Sequence, residues 1–221
     1  MFLILQKWKW EYLSKKNADY YIYSDIEEKD EEKYKESGFF DVKKLIINDL
    51  ILSKNIIFKK SVALEIGCGN GRMTEFMSNI FNEIYEIDIS KNMIIKGKKR
   101  LEKIKNINFY ENNGDNYPIK SNVVDLVFSY IVFQHFPTKK MVMHNLLEIK
   151  RVLKPSGIAK VQFRGNKAFG GNFRFLKWYY GVYFSEKELN ALLIKMNFLP
   201  LKIYYSSHRE LWAIFQKKNN Y

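Results

Sequence analysis

ALEIGCGNGRMTEF, residues 63–76, decides how this chain folds. An apolar run ends in glycines at 67, 69 and 71, and an amphipathic segment comes at once after them. Glycines at alternate positions mark backbone that must approach something closely, with no side chains in the way. Strand, glycine turn and helix together form the layout that binds nucleotide-like ligands at the carboxyl end of a parallel sheet. A phosphate loop would need a Gly-Lys-Ser/Thr ending, which is absent, and a GxGxxG fingerprint would need a small residue where Arg72 stands. Glu65, two residues before the first glycine, would repel a pyrophosphate; it suits a positively charged ligand or else braces the loop.

Outward from this stretch, apolar runs of strand length alternate with longer segments of helical period, which predicts an α/β fold with a mostly parallel sheet. The expected strands are 61–66, 83–88, 107–112, 123–130, 157–163, 202–207 and 211–216. Segments 72–81, 90–104, 138–153 and 185–196 carry apolar residues at i, i+3 and i+4, and the last opens with Ser185 three residues before Glu188, a capping-box spacing. KPSG at 154–157 is expected to close the third helix with a turn. Only a short polar turn separates the last two strands, so they are expected to form an antiparallel hairpin at the sheet edge. Residues 1–55 are taken as a helical lid or appendage, and 56–221 as the binding domain.

Composition narrows the function. The chain has 221 residues, 47% hydrophobic and 16% aromatic, enough for one well-cored domain. Its single cysteine, Cys68, rules out an intrachain disulfide and a cysteine-based metal cluster, which fits a reducing cytoplasm. No acid–histidine cluster suggests a metal. MFLILQ is too short to span a bilayer, and Lys7, Trp8, Lys9 and Trp10 come after it instead of a small-residue cleavage site, so no membrane partner is expected. The formal charge of +13 comes with only six arginines among 37 basic residues, and the lysines are scattered. That pattern favours a solvated lysine-rich surface over a nucleic-acid footprint.

The spacing Glu65, Gly67, Gly69, Gly71 resembles the E/DxGxGxG first motif of the class I S-adenosylmethionine-dependent methyltransferases. The other landmarks are in order: Asp88 ends the second strand, Asn113 and Gly114 precede Asp125, DLVFSYIVFQHF (125–136) resembles the fourth motif, and EIKRVLKPSGIAKVQF (148–163) resembles that family's next helix, turn and fifth strand. The similarity spans residues 61–163. It implies a Rossmann-like seven-stranded, mostly parallel sheet with helices on both faces, and S-adenosyl-L-methionine as cofactor. It further implies cofactor contacts at Glu65, Gly67, Cys68, Gly69, Gly71, Asp88, Ile89, Met93, Asn113, Gly114, Ser129 and Tyr130. In that set Asp88 would accept from the ribose hydroxyls, or else cap a helix. Asn113 would meet the adenine amino group, with Asp115 as substitute.

Methyl transfer to a hydroxyl needs a base. His135, in FQHF, is carried over from sugar and small-molecule O-methyltransferases as that base; the alternative is a histidine capping the helix after Pro137. No Asn/Asp-Pro-Pro-aromatic segment stands at SYIV (129–132), which excludes the amino-methylating nucleic-acid enzymes, and no cysteine lies after the fourth strand, which excludes cytosine-carbon chemistry. Acceptor contacts are expected at Gln134, Arg164, Arg174, Tyr179, His208 and Arg209, the arginines suiting a small acceptor with an anionic group. The aromatic segment 164–184 is expected to lie on the acceptor side. An RNA or protein methyltransferase, and a cofactor-binding module without transfer, are the alternative functions.

Overall fold

The computed structural model describes residues 2–22, 30–165 and 181–219. All seven expected strands are present: β1 (Val62–Ile66), β2 (Glu83–Asp88), β3 (Ile107–Glu111), β4 (Val124–Ser129), β5 (Leu153–Arg164), β6 (Phe198–Tyr205) and β7 (Glu210–Lys217). They form one sheet in the order β3-β2-β1-β4-β5-β7-β6, with helices around it. Packing divides the chain into two compact units, Met1–Pro118 and Ile119–Tyr221.

In the first unit β1, β2 and β3 pair in parallel, Glu65 opposite Glu86 and Asp88 opposite Glu111. Four helices accompany them: α1 (Phe2–Ile22), α2 (Glu31–Val42), α3 (Leu50–Asn55) and the short α4 (Thr74–Met77), and then α5 (Lys91–Arg100) joins β2 to β3. α5 starts where the Ser90 hydroxyl accepts from the Met93 N–H, buries Met93, Ile94 and Gly97, and ends on Lys98, Lys99 and Arg100, which suit the negative end of its dipole. α4 is far shorter than the helix expected over 72–81. The Ser78 hydroxyl and Asn79 amide both bond the Glu75 carbonyl, competing with the helix ladder just before the chain turns into β2.

In the second unit β4 and β5 run parallel, β7 pairs antiparallel with β5, and β6 pairs antiparallel with β7 on the outer edge, so the expected hairpin is there. α6 (Lys139–Val152) is capped by Thr138 and buries Met141, Val142, Asn145, Leu146, Ile149 and Val152 along one face. α7 (Glu186–Lys195) carries the full capping box of Ser185 and Glu188. KPSG does not stand outside the fifth strand. Leu153 already pairs with Val124, the ladder resumes at Ile158 with Leu126, and 154–157 form a bulge between them with Ser156 at φ 61. A second register shift lies in the edge strand, between Pro200 and Lys202. The aromatic segment predicted on the acceptor side falls largely on residues 166–180, outside the described residues. Among the described residues no helix is long and apolar enough to cross a membrane.

Candidate active site

The glycine loop leaves β1 and is fixed at once to β2, because the Gly67 and Cys68 N–H groups both donate to the Ile87 carbonyl. Gly67, Gly69 and Gly71 all take positive φ, at 75°, 57° and 88°, which a side chain would oppose. Asp88, at the end of β2, accepts from the Gly69 N–H at 3.0 Å and from the Ser90 N–H at 2.8 Å through its two oxygens. Burial lifts its pKa to about 6, against the pull of those two N–H groups. Each oxygen keeps a lone pair for a further donor.

Beneath the loop lies a pair of carboxyls. Glu65 and Glu86 are opposite one another on β1 and β2, 5% and 0% exposed. Burial raises Glu65 to about 7, although Glu86, Arg72 and the Thr74 hydroxyl (3.2 Å from Oε2) all favour its charge. Burial also lifts Glu86 well above the usual range, and the charge of Glu65 adds to it. No donor in hydrogen-bonding geometry satisfies either Glu86 oxygen, which further disfavours its charged form. Cys68 packs with Ile94, Leu101 and Phe109, and burial pushes its thiol well up, which makes it an inert filler of the loop.

Two N-terminal helices are built into this site. From α2, the Tyr34 hydroxyl donates to Asn70 Oδ1 at 2.6 Å, and Ser37 and Asp41 receive the buried Arg72 guanidinium at 3.1 and 2.6 Å. Gly38 lies so close that a Cβ there would be 2.2 Å from the Arg72 carbonyl oxygen. From α1, Glu11 Oε2 accepts from the Ser90 hydroxyl at 2.7 Å and the Asn92 N–H at 3.2 Å, a carboxylate seated on the positive end of α5. Burial opposes its charge, but those bonds outweigh it and lower its pKa. Lys7 pairs with Glu111 at the end of β3. Residues 1–55 were expected as a helical lid or appendage; α1 and α2 brace the loop through these contacts.

Of the other residues expected to contact the cofactor, Met93 and Gly114 are buried, and Gly114 has φ 93°. Ile89 is half-buried. Asn113 is exposed, and its Oδ1 already accepts from the Asp115 and Asn116 N–H groups in a local turn. That oxygen holds the loop after β3.

The second unit assembles its own cluster at the end of β4. Ser129 is buried and Tyr130 stacks on Trp212 at 5.4 Å. Ile131 takes φ 58, a strained value for a β-branched residue, and its N–H donates to the buried Gln162 Oε1 at 3.1 Å. The Gln162 amide donates to Gln134 Oε1 at 3.3 Å, which turns the Gln134 amide nitrogen to His135 Nε2 at 3.2 Å. A donor there makes Nε2 the unprotonated nitrogen of His135, which is 3% exposed. The β5–β7 register sets Arg164 opposite Glu210, and the Gly165 N–H donates to the Arg209 carbonyl. The turn 206–209 therefore stands at the same strand end as Arg164, with His208 and Arg209 exposed. Arg174 and Tyr179 lie outside the described residues.

Residues 64–161 match the family described as "Methyltransferase domain". Over those residues the chain is similar to the class I S-adenosylmethionine-dependent methyltransferases. The chain is 31% identical over 127 residues to the ubiquinone/menaquinone biosynthesis C-methyltransferase UbiE of Wigglesworthia glossinidia brevipalpis, covering 54% of this chain and 48% of that one. It is 35% identical over 85 residues to the malonyl-[acyl-carrier protein] O-methyltransferase of Bacillus anthracis, covering 38% and 31%. In each case the match spans less than half of the relative. A crystal structure of a SAM-dependent methyltransferase from Aquifex aeolicus superposes with a TM-score of 0.61 at 18% identity, over 86% of this chain and 99% of that one, a likeness of fold. The cofactor of this methyltransferase class is S-adenosylmethionine, and the loop fits it: three positive-φ glycines give an open backbone, and the Asp88 carboxylate has lone pairs for a ribose. Glu86, Arg72, Asp41, Glu11 and Gln162 were not singled out from sequence. Glu86 carried a signal, an acid on the same face of β2 as buried Ile84. The others act through partners far along the chain.

Proposed function

We propose that this protein transfers the methyl group of S-adenosylmethionine to a hydroxyl oxygen of a small polar, sugar-like acceptor. Bound, the cofactor supplies a sulfonium-activated methyl group. The chain's own residues do the rest. The glycine loop and Asp88 hold the cofactor's adenosyl part, and His135 accepts the hydroxyl proton at Nε2 once the Gln134 amide turns aside. Arg164, Arg209 and His208 hold an anionic group on the acceptor, and Arg174 and Tyr179 belong to the same proposal. The observation that carries the reading is Asp88, a carboxylate held by the Gly69 N–H of the loop and the Ser90 N–H at the start of α5, with lone pairs to spare.

The O-methyltransferase among the relatives supports oxygen as the methylated atom. The C-methyltransferase favours a second reading, carbon methylation of a phenol-like ring, with His135 taking the phenol proton. Transfer from S-adenosylmethionine bearing a 13C methyl group, run across a panel of hydroxylated acceptors, separates the two by the carbon shift of the product. His135→Ala should lower kcat by about 10²–10⁴-fold and leave cofactor Kd unchanged. A product methylated on carbon would overturn the oxygen reading, and an unchanged kcat in His135→Ala would remove the base.

A further inference from the structure

Helix α1, which kinks at Asn17 (φ −161, ψ 94), has two faces. One is built into the fold: Leu13, Ser14 and Ala18 are buried, and Glu11 points to Ser90 and Asn92. On the other, Ile4, Trp8 and Tyr12 recur at four-residue steps with Leu5 beside them, and these four side chains are 62%, 74%, 65% and 57% exposed. Four-residue steps place them on one stripe. Exposed Lys15 and Lys16 continue it towards the C-terminal end, and Lys9 flanks it. Glu11 is the only acid between residues 4 and 16; its Oε2 is turned inward to Ser90 and Asn92, and its Oε1 lies 3.8 Å from Nζ of Lys15, which stays 67% exposed.

We propose that this stripe docks on the surface of an anionic lipid bilayer. Trp8 and Tyr12 would lie at headgroup level, Ile4 and Leu5 among the first acyl carbons, and Lys9, Lys15 and Lys16 against lipid phosphates. An apolar and aromatic stripe edged by lysines is the composition of a helix lying in the membrane interface. Docking on a surface differs from crossing it, so the expectation of no membrane partner narrows to no crossing by a described helix. The proposal rests on α1 and is independent of the acceptor.

Other occupants fit less well. A second copy would set these lysines against their equals, and the four side chains expose roughly 500 Å², short of the ~800 Å² per partner of a stable interface. Residues 166–180 carry Lys167, Arg174 and Lys177 and no acid, the same sign as the stripe. Single-stranded nucleic acid would stack on Trp8 and Tyr12 but give Ile4 and Leu5 nothing apolar to meet.

The test is sedimentation of the full chain with phosphatidylcholine vesicles, with and without phosphatidylglycerol. The protein should bind the anionic vesicles and stay free of the neutral ones. The double variants Leu5→Ser/Trp8→Ser and Lys15→Gln/Lys16→Gln should each weaken binding about tenfold or more with thermal melts unchanged, because these side chains are exposed. No binding to anionic vesicles, or equal binding by both variants, overturns the proposal. So does a dimer, or a complex with single-stranded RNA, that the same substitutions abolish while vesicle binding stays absent.

Discussion

Gly38 offers a prediction whose sign depends on the packing of α2 against the glycine loop. In an exposed helix Gly→Ala stabilises by about 1 kcal/mol, because alanine has less backbone freedom to lose. Here the added methyl carbon would be 2.2 Å from the Arg72 carbonyl oxygen and 3.1 Å from a ring carbon of Phe76. The first of these is backbone, and it belongs to the loop that bears the positive-φ glycines, so it has little room to retreat. Forcing a methyl into packed space costs about 1–3 kcal/mol. Moving α2 away also lengthens the Arg72–Asp41 and Tyr34–Asn70 bonds, each worth about 1–3 kcal/mol. The sum exceeds the propensity gain, so Gly38→Ala should destabilise by about 2–4 kcal/mol. At about 2–4 °C per kcal/mol for a protein of this size, the melting temperature should fall by about 4–16 °C. Calorimetric titration with S-adenosylhomocysteine on the same protein should show about tenfold weaker binding. A melting temperature that rises, with affinity unchanged, would show that α2 does not press on the loop and that the brace is wrong.

Four other outcomes arise from the same contacts. Asp41→Ala leaves a guanidinium only 4% exposed without its carboxylate; with Asp41 itself 20% exposed to water, the loss should be about 2–3 kcal/mol in urea unfolding, and Arg72→Met/Asp41→Leu should recover most of it. The raised pKa of Glu65 means that the folded state holds a proton the unfolded chain has released, so stability should fall by about 3 kcal/mol as pH rises from about 4.5 to 7 and then level off. In Glu86→Gln, unfolding measured across that window should show a shallower slope, because the raised titration of Glu86 itself is removed. Asp88 accepts from a ribose best when ionised, so cofactor Kd should tighten as pH rises through about 6, and Asp88→Asn should weaken binding at every pH and flatten that profile. Ile131→Gly removes a strained left-handed β-branched residue and should leave the melting temperature unchanged or raise it slightly, despite the lost side chain.

The sheet was legible because strand sequences carry their own pattern. Each expected strand lies within a few residues of the observed one, and Ser185 with Glu188 announced the start of α7. What failed were places where a local signal met a competitor. Ser78 and Asn79 cut α4 short, and the pairing of Leu153 with Val124 drew KPSG into a bulged strand. Within the site, the glycines and Asp88 stood out because the backbone itself demands them. Arg72 looked like a missing glycine, and only the fold shows that its guanidinium reaches back to Asp41, 31 residues earlier. Gln162 was equally silent: its amide serves Ile131 and Gln134, contacts that no spacing within one strand encodes.

The register shift between Pro200 and Lys202 has a consequence for the protein's behaviour in a crowded solution. β6 is an outermost strand, and an outermost strand with a regular row of free N–H and C=O groups is a template onto which another chain can add itself. Pro200 has no N–H to give, the shift breaks the even spacing, and exposed Lys202 brings charge to the same place. A strand arriving from a neighbouring molecule would find no continuous ladder to copy there. Smoothing that strand, by Pro200→Val with Lys202→Val, would leave the site untouched and turn the sheet's rim into a point of self-association.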